Sequence, residues 1–343
     1  MGLVEEKQRW ERFLNVWREE PPKGAETPRE AIWKLNKATL WYYPAVNKRY
    51  ATPIYLIYSL INQATILDLS TGSSVIEAFV DEGFDVYLID FGVPGYEDKD
   101  LTMEDYIVKY IQNGARRVLR HSGVDELSVM GFCLGGTLAA IYASVAKEPI
   151  KNLILDVAPI DFFVWPTFSQ WIQALRVEEL SFERLINQVG LIPSRHMEAG
   201  VRLITSPMYV SPYLSLLNKA NNEQYVEKWR AFRRWTKEHI PMPGGVLNQL
   251  LNDFLRGNKI VEGALTVDGK RADLSNIKAN LLVIASTYDR LVPKVTTMKI
   301  MDLVSSEDKT YHELQGGHAT LTNNGKLPDY LQDWLPERST PLH

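Results

Sequence analysis

Five short apolar runs recur along the chain, and stretches of helical periodicity separate several of them. "PIYLIY" (Pro53–Tyr58), "FDVYLID" (Phe84–Asp90), "ELSVMGF" (Glu126–Phe132), "NLILDVA" (Asn152–Ala158) and "NLLVIAS" (Asn280–Ser286) each read as a buried strand. Near-continuous apolar runs of this length suit strands covered on both faces, as in a parallel sheet. The intervening "SVIEAFVDEG" (Ser74–Gly83) and "MEDYIVKYIQNGARRVLRHSG" (Met103–Gly123) read as helices. This β-α-β-α order predicts an α/β sheet with right-handed crossovers.

The alternation stops near Asp161 and resumes at "KANLLVIAS". Between them the chain is helix-leaning and rich in Trp and Pro, with Trp165, Trp171, Trp229, Trp235 and "IPMPGG". An interruption between two sheet segments is what an inserted cap looks like. The expected organisation is an N-terminal helical segment (1–28), a core in two parts (29–160 and 271–343) and a cap (161–270). In the N-terminal segment Trp10, Phe13, Leu14 and Trp17 share one face of a charged helix over Glu5–Glu20. That stripe reads as packing on its own domain, or as a docking face for a partner. Arg230, Arg233, Arg234 and Lys237 form a basic cluster in the insert, read as a solvated helix face or as a phosphate contact.

Composition narrows the class of partner. A formal net charge of −4 over 343 residues gives no reason to expect nucleic acid. One cysteine cannot form an internal disulfide, which suits a reducing cytoplasm. The opening "MGLVEEKQRWERF" is charged where a secretory signal would be apolar, and no apolar run is long enough to span a bilayer.

That single cysteine, Cys133, sits in "SVMGFCLGGTLAA" (Ser128–Ala140), after a strand-like run and before a helix-like one. Gly131-x-Cys133-x-Gly135 suits a sharp turn that exposes a nucleophile at a helix N-terminus, where a thiolate is favoured. The amide of Leu134 would face the developing oxyanion. A second donor is expected from the loop "YSLINQ" (Tyr58–Gln63), at Leu60 or Ile61. Taken alone, the pattern leaves Cys133 equally readable as a packed small residue.

A cysteine nucleophile needs a base and an orienting acid, arriving later in the chain in the order acid, histidine. "NLLVIASTYDRLVP" ends a strand near Asp289, and "YHELQGGHATL" places His318 in a glycine-flanked loop. Of the six histidines, His121, His196 and His239 lie in helical or insert segments, His343 is terminal and His312 falls within the last strand. Asp90 also ends a strand but precedes the cysteine, so it reads as a turn residue.

With these residues in hand, the chain resembles the polyhydroxyalkanoate synthase family, in the size range of its short classes III and IV. The likeness is carried by "TPREAIWKLNKATLWYY" (Thr27–Tyr43), "LIYSLINQATILDL" (Leu56–Leu69), "GFDVYLIDFGVPG" (Gly83–Gly95), "GFCLGGT" (Gly131–Thr137) and "GGH" (Gly316–His318), in family order. Two departures stand out. Phe91 replaces the tryptophan of many members, and "HATL" differs from the usual continuation.

The resemblance implies an α/β-hydrolase fold with a helical cap, and a Cys133–Asp289–His318 triad. It implies polymerisation of (R)-3-hydroxyacyl-coenzyme A, such as 3-hydroxybutyryl-coenzyme A, through an acyl-cysteine with release of coenzyme A. No cofactor is implied, since the coenzyme A thioester is substrate. It further implies a homodimer, a second PhaR- or PhaE-like subunit, and a cytoplasmic location at polymer granules. Asp289 is left with two roles, orienting His318 or deprotonating the incoming hydroxyl. The alternatives are a cysteine-dependent hydrolase of thioesterase or dienelactone-hydrolase type, and a non-catalytic granule-binding protein.

Overall fold

The computed structural model describes residues 3–342 apart from 21, 23, 25–26, 167–168, 177–181, 206–210 and 320–324. His343 and part of "HATL" lie outside the described residues. One eight-stranded sheet organises the chain: β1 (Glu30–Leu35), β2 (Ala38–Tyr43), β3 (Ile54–Ile57), β4 (Val86–Asp90), β5 (Leu127–Phe132), β6 (Ile150–Asp156), β7 (Asn280–Ser286) and β8 (Lys309–Leu314). Its spatial order is β1-β2-β4-β3-β5-β6-β7-β8. The β1–β2 and β2–β4 pairings are antiparallel, and the other neighbours run parallel.

The five apolar runs became β3 to β7, and the reason is burial. All residues of β3 and β5 are buried, as the absence of polar alternation requires of a sheet covered on both faces. His312 lies within β8, where its ring stacks on Tyr330 at 4.6 Å. The hairpin β1–β2 was not legible as strands. It carries no Gly-containing turn, and Asn36 instead supplies the positive φ of 52° at the reversal.

Helices cover the sheet. Helix α2 (Val75–Asp81) begins where Ser74 Oγ accepts the Glu77 N–H at 2.9 Å. Helix α3 (Asn113–Ser122) follows a π-helical stretch over Tyr106–Gln112 and ends at Gly123, whose φ of 70° closes the last turn. Helix α4 (Leu134–Val145) lies between β5 and β6 and is almost wholly buried, which explains its Ala- and Gly-rich apolar sequence. No helix among the described residues is long and apolar enough to cross a membrane.

The insertion between β6 and β7 is mainly helical. Its Phe162, Ile172, Met242, Val246 and Phe254 share one apolar core with the sheet. A separate small cluster joins helix α1 (Leu3–Val16) to cap helices α5 (Ser211–Asn218) and α6 (Glu223–Trp235) through Val16, Leu216, Val226 and Trp229. Trp17 stacks on Tyr213 at 5.1 Å, and the Arg233 guanidinium lies 4.1 Å from the Trp17 ring centre. Part of the N-terminal stripe is therefore packed on its own chain, while Trp10 and Leu14 stay exposed.

The basic cluster is not a free solvated face. Arg230 pairs with Glu19 at 3.0 Å and donates to the Glu20 carbonyl, and Arg234 donates to the carbonyls of Pro22 and Leu69. Thr27 then ties to Asp68 of the core at 2.8 Å. The N-terminal segment thus runs from the cap to the core as a strap, and α6 supplies its cationic anchors.

Replacing Trp17 by Ala is expected to cost this strap about 2 kcal/mol of local stability. Hydrogen exchange should speed up in α1 and α6 while β5 keeps its protection. Unchanged exchange in α1 would mean that the aromatic stack does not hold the helix.

Candidate active site

Strand β5 runs into α4 through a single residue, Cys133, with φ 51° and ψ −129°. A positive φ at a residue with a side chain costs of order 1–3 kcal/mol and persists only where the surroundings enforce it. Here the Cys133 N–H donates to the Asp156 carbonyl at 2.9 Å, and the Cys133 carbonyl accepts from Gly136 at 2.9 Å and Thr137 at 3.3 Å. The flanking glycines are sterically required. A Cβ on Gly131 would lie 2.5 Å from the Gly136 Cα, and one on Gly135 would lie 2.5 Å from the Ile57 carbonyl oxygen. Strand, turn and helix meet too closely for side chains there, so the thiol projects from the sheet edge at a helix N-terminus.

Asp289 follows β7 in a tight turn. Its Oδ1 accepts the amides of Leu291 at 2.9 Å and Val292 at 2.8 Å, which leaves Oδ2 to face His318 Nδ1 at 2.7 Å. The pairing of β7 with β8 continues past both strand ends, through Thr287 N–H to Leu314 and Tyr288 N–H to Gly316. The acid and histidine loops are thereby held side by side. Burial by itself would push the His318 imidazole down. The Asp289 carboxylate and the Cys133 sulfur, the latter within hydrogen-bonding reach, outweigh it and raise His318 well above its ordinary value.

The structure therefore brings Cys133, Asp289 and His318 into one cluster from three separate strand ends. Leu134, the first residue of α4, lies beside it, and first-turn amides have no intrahelical partner. In the loop after β3, Ile61 lines the same cavity, and its N–H donates to Ser59 Oγ at 3.3 Å. Leu60 is buried in the main apolar core.

The cavity over Cys133 and His318 has a volume of about 310 Å³ and walls formed largely by apolar groups, among them Tyr58, Leu134, Phe162, Trp165, Trp235 and Leu255. Its rim is a seam between cap and core. Asn62 Nδ2 donates to the Trp235 carbonyl at 3.0 Å, Trp235 Nε1 to the Gln63 carbonyl at 3.0 Å, and the Ile240 N–H to the Ile61 carbonyl at 3.2 Å. The loop expected to carry an oxyanion donor is thus zipped to the end of the cap. His196 and His239 also line the cavity, and burial lowers His239 below its ordinary value.

Asp90, the competing carboxylate, closes a turn by accepting the Gly92 N–H at 2.9 Å. Phe91 packs edge-on against Tyr106 at 5.1 Å. One ionisable group went unremarked in the sequence. Asp156, the last residue of β6, is only 2% exposed and sits between the nucleophile strand and the acid strand. A charged residue interrupting the apolar run "LILDVA" is the signal that could have found it. Among the described residues, no group of His, Cys, Asp and Glu is arranged to hold a metal ion.

The family model for the alpha/beta hydrolase fold matches residues 52–324. The poly(3-hydroxyalkanoate) polymerase subunit PhaC of Haloferax mediterranei is 34% identical over 322 residues, covering 92% of this chain and 65% of that protein. Its counterpart from Haloarcula marismortui is 30% identical over 330 residues, covering 92% and 69%, and that of Synechocystis sp. is 28% identical over 322 residues, covering 91% and 85%. The chain thus spans about two thirds of the length of the Haloferax and Haloarcula relatives. Among solved structures, a hydrolase from Pseudomonas aeruginosa superposes with a TM-score of 0.51 at 17% identity, covering 91% of this chain and 98% of that one. An alpha/beta hydrolase fold protein from Nakamurella multipartita gives 0.51 at 12% identity, covering 91% and 99%. At such identities the structures speak to fold alone. By the matched fold model and these polymerase relatives, the chain belongs to the α/β-hydrolase fold and, within it, to the PhaC family of poly(3-hydroxyalkanoate) polymerases.

Proposed function

We propose that this chain polymerises (R)-3-hydroxyacyl-coenzyme A, with 3-hydroxybutyryl-coenzyme A as the short-chain case, into polyester with release of coenzyme A. The observation that carries the reading is the meeting of Cys133, His318 and Asp289 at the floor of a largely apolar cavity, in a chain of the PhaC family.

In this mechanism His318 takes the thiol proton and the Cys133 sulfur attacks the thioester carbonyl. The oxyanion is met by the Leu134 amide and an amide of the β3 loop, with Leu60 and Ile61 as candidates. The carbon–sulfur bond to coenzyme A breaks, and coenzyme A leaves with the proton from His318. The chain is then held as a thioester on Cys133. The 3-hydroxyl of a bound acyl unit next attacks a second acyl thioester, His318 accepting its proton. The carbon–sulfur bond of that thioester breaks, the released sulfur takes the proton back from His318, and an oxygen ester forms as the chain lengthens.

A sulfur nucleophile suits this cycle because thioester exchanges for thioester at little cost, and the acyl group stays activated. The electrostatics support the first step, since the carboxylate and the sulfur both favour a proton on His318. Asp289 serves as the orienting partner, because its Oδ1 is committed to two backbone amides and its Oδ2 to the imidazole. No resident cofactor is needed, as sulfur, imidazole and amides supply every step.

The apolar cavity and the seam between Asn62–Gln63 and Trp235 support exclusion of water from the acyl-cysteine. We also infer work at a granule surface in the cytoplasm, as a homodimer and with a second PhaR- or PhaE-like subunit. The exposed Trp10 and Leu14 leave apolar surface on α1 for such a contact.

Incubation with 3-hydroxybutyryl-coenzyme A, with and without candidate second subunits, should release coenzyme A and give insoluble polyester. Free 3-hydroxy acid as the sole product would instead make the chain a thioesterase. Cys133→Ala should abolish coenzyme A release, and retained turnover would overturn the nucleophile assignment. Asp289→Asn should lower kcat by up to roughly 10⁴-fold, the loss that follows from removing the orienting acid of a serine triad. An unchanged kcat would remove Asp289 from the mechanism.

A further inference from the structure

Beneath the Cys133–His318 pair lies an ionisable group that the proposed cycle leaves unused. Asp156 ends β6, with its backbone in register with Phe132 of β5 and Ile284 of β7. Its carbonyl accepts the Cys133 amide at 2.9 Å, so its main chain is part of the nucleophile turn. Ile154, two residues earlier, belongs to the apolar cluster that contains Tyr58 and Phe132 and packs against Ala319 and Tyr330. Strand alternation puts the Asp156 side chain on that same face. No hydrogen bond from the described residues reaches its carboxyl.

Two further observations mark the position. The next residue, Val157, holds a φ of 45°, which a β-branched side chain adopts only under constraint, and its N–H is pinned to the Ile284 carbonyl at 2.9 Å. The charged and titratable groups that face Asp156 come from every neighbouring element. They are His318 and Asp289 from the loops after β8 and β7, Tyr58 from the loop after β3, and Tyr330 from the helix Asp329–Gln332. The only cation among these groups is an imidazolium at His318.

We propose that Asp156 is a second counter-ion of His318, a positioning residue that acts through the imidazole and never touches substrate. It supports the protonated imidazole formed during acyl transfer and partly replaces Asp289 when that carboxylate is removed. The inference rests on the His318 assignment made above. Burial and, to a lesser degree, the Asp289 carboxylate raise the Asp156 carboxyl while His318 offsets part of the rise, leaving it at about 7. It therefore changes charge in the range where the imidazole of His318 is at work.

The sign of its effect on stability follows. An acid whose value is raised on folding stabilises the fold at low pH, and that contribution is lost as pH climbs from about 4 through about 7.

The test uses the full chain with Asp156→Asn, Asp289→Asn and the double variant, with His318→Ala as reference. His318 is followed by NMR of ¹³C-labelled histidine, and coenzyme A release is followed across pH. In Asp156→Asn the titration of His318 should move down by about one pH unit, and one limb of the rate profile should move with it. Asp289→Asn should keep residual turnover that the double variant loses by a further factor of about 10, equivalent to about 1.4 kcal/mol.

Two wild-type and stability readouts keep the test sound if a variant folds poorly. The His318 signal of the unmodified chain should titrate in two coupled steps. The denaturation midpoint of Asp156→Asn should also lose the fall between about pH 4 and 7. A single-step titration, an unmoved His318 in Asp156→Asn, or equal activity of Asp289→Asn and the double variant would each overturn the proposal. Full turnover by His318→Ala would instead overturn the assignment of the base, which separates the two failures.

Discussion

The Cys133 N–H bonded to the Asp156 carbonyl at 2.9 Å is the contact on which the rest of the site depends. It ties the strained residue between β5 and α4 to the neighbouring strand, and so prevents the turn from relaxing into ordinary helix or strand. The glycines at 131 and 135 make that geometry possible, because a Cβ at either would meet backbone at 2.5 Å. The strain is then sustained by sheet pairing on both sides of β5, which is far stronger collectively than a penalty of about 1–3 kcal/mol at one residue. A thiol held this way needs no loop rearrangement to meet its base. His318 arrives on a loop anchored by the extension of the β7–β8 pairing.

Electrostatics give that geometry a direction. The cavity is largely apolar, so each charge at its floor acts through a low-dielectric surrounding and matters more than it would in water. His318 stands beside one hydrogen-bonded carboxylate and one sulfur, which both favour its protonated form, and it in turn eases the buried Asp156 carboxyl. Two carboxyl groups facing one imidazole cannot both ionise cheaply while it is neutral. Asp289, with two amides on Oδ1, is the one built to carry charge. Asp156, with none, is the one left to bear the cost of burial.

Much of this was legible in the sequence because the signals were local. Buried parallel strands need unbroken apolar runs, so β3 to β7 announced themselves. The nucleophile turn needs small residues at fixed offsets, and the order of acid and histidine follows from strand order. What was illegible was long-range or relational. The hairpin β1–β2 lies at the sheet edge and is half exposed, so its pattern resembles neither a buried run nor clean alternation. Arg230 and Arg234 looked like a solvated face because nothing local reveals that Glu19 and the carbonyls of Glu20 and Pro22 meet them. Asp156 was hidden for the opposite reason, since a strand reading asks which residues are apolar and passes over the one that is not.

The same relational logic bears on how a hydrolase fold can build polymer. In a hydrolase, water must reach the acyl-enzyme; in the proposed cycle it must not, although a hydroxyl of similar nucleophilicity must. Chemistry at the sulfur cannot tell the two apart, so the choice has to lie in access. In the proposed cycle that control falls to the cap, at the seam where Trp235 and Ile240 bond to the β3 loop, the same loop proposed to border the oxyanion. Opening the seam would admit water and disturb the donor loop together. In the proposed cycle closure and competence would thus be coupled by the same few hydrogen bonds, and the acyl-cysteine would meet an assembled donor loop only when solvent is shut out. A hydroxyl that arrives on an acyl chain already inside the cavity is the nucleophile this arrangement admits.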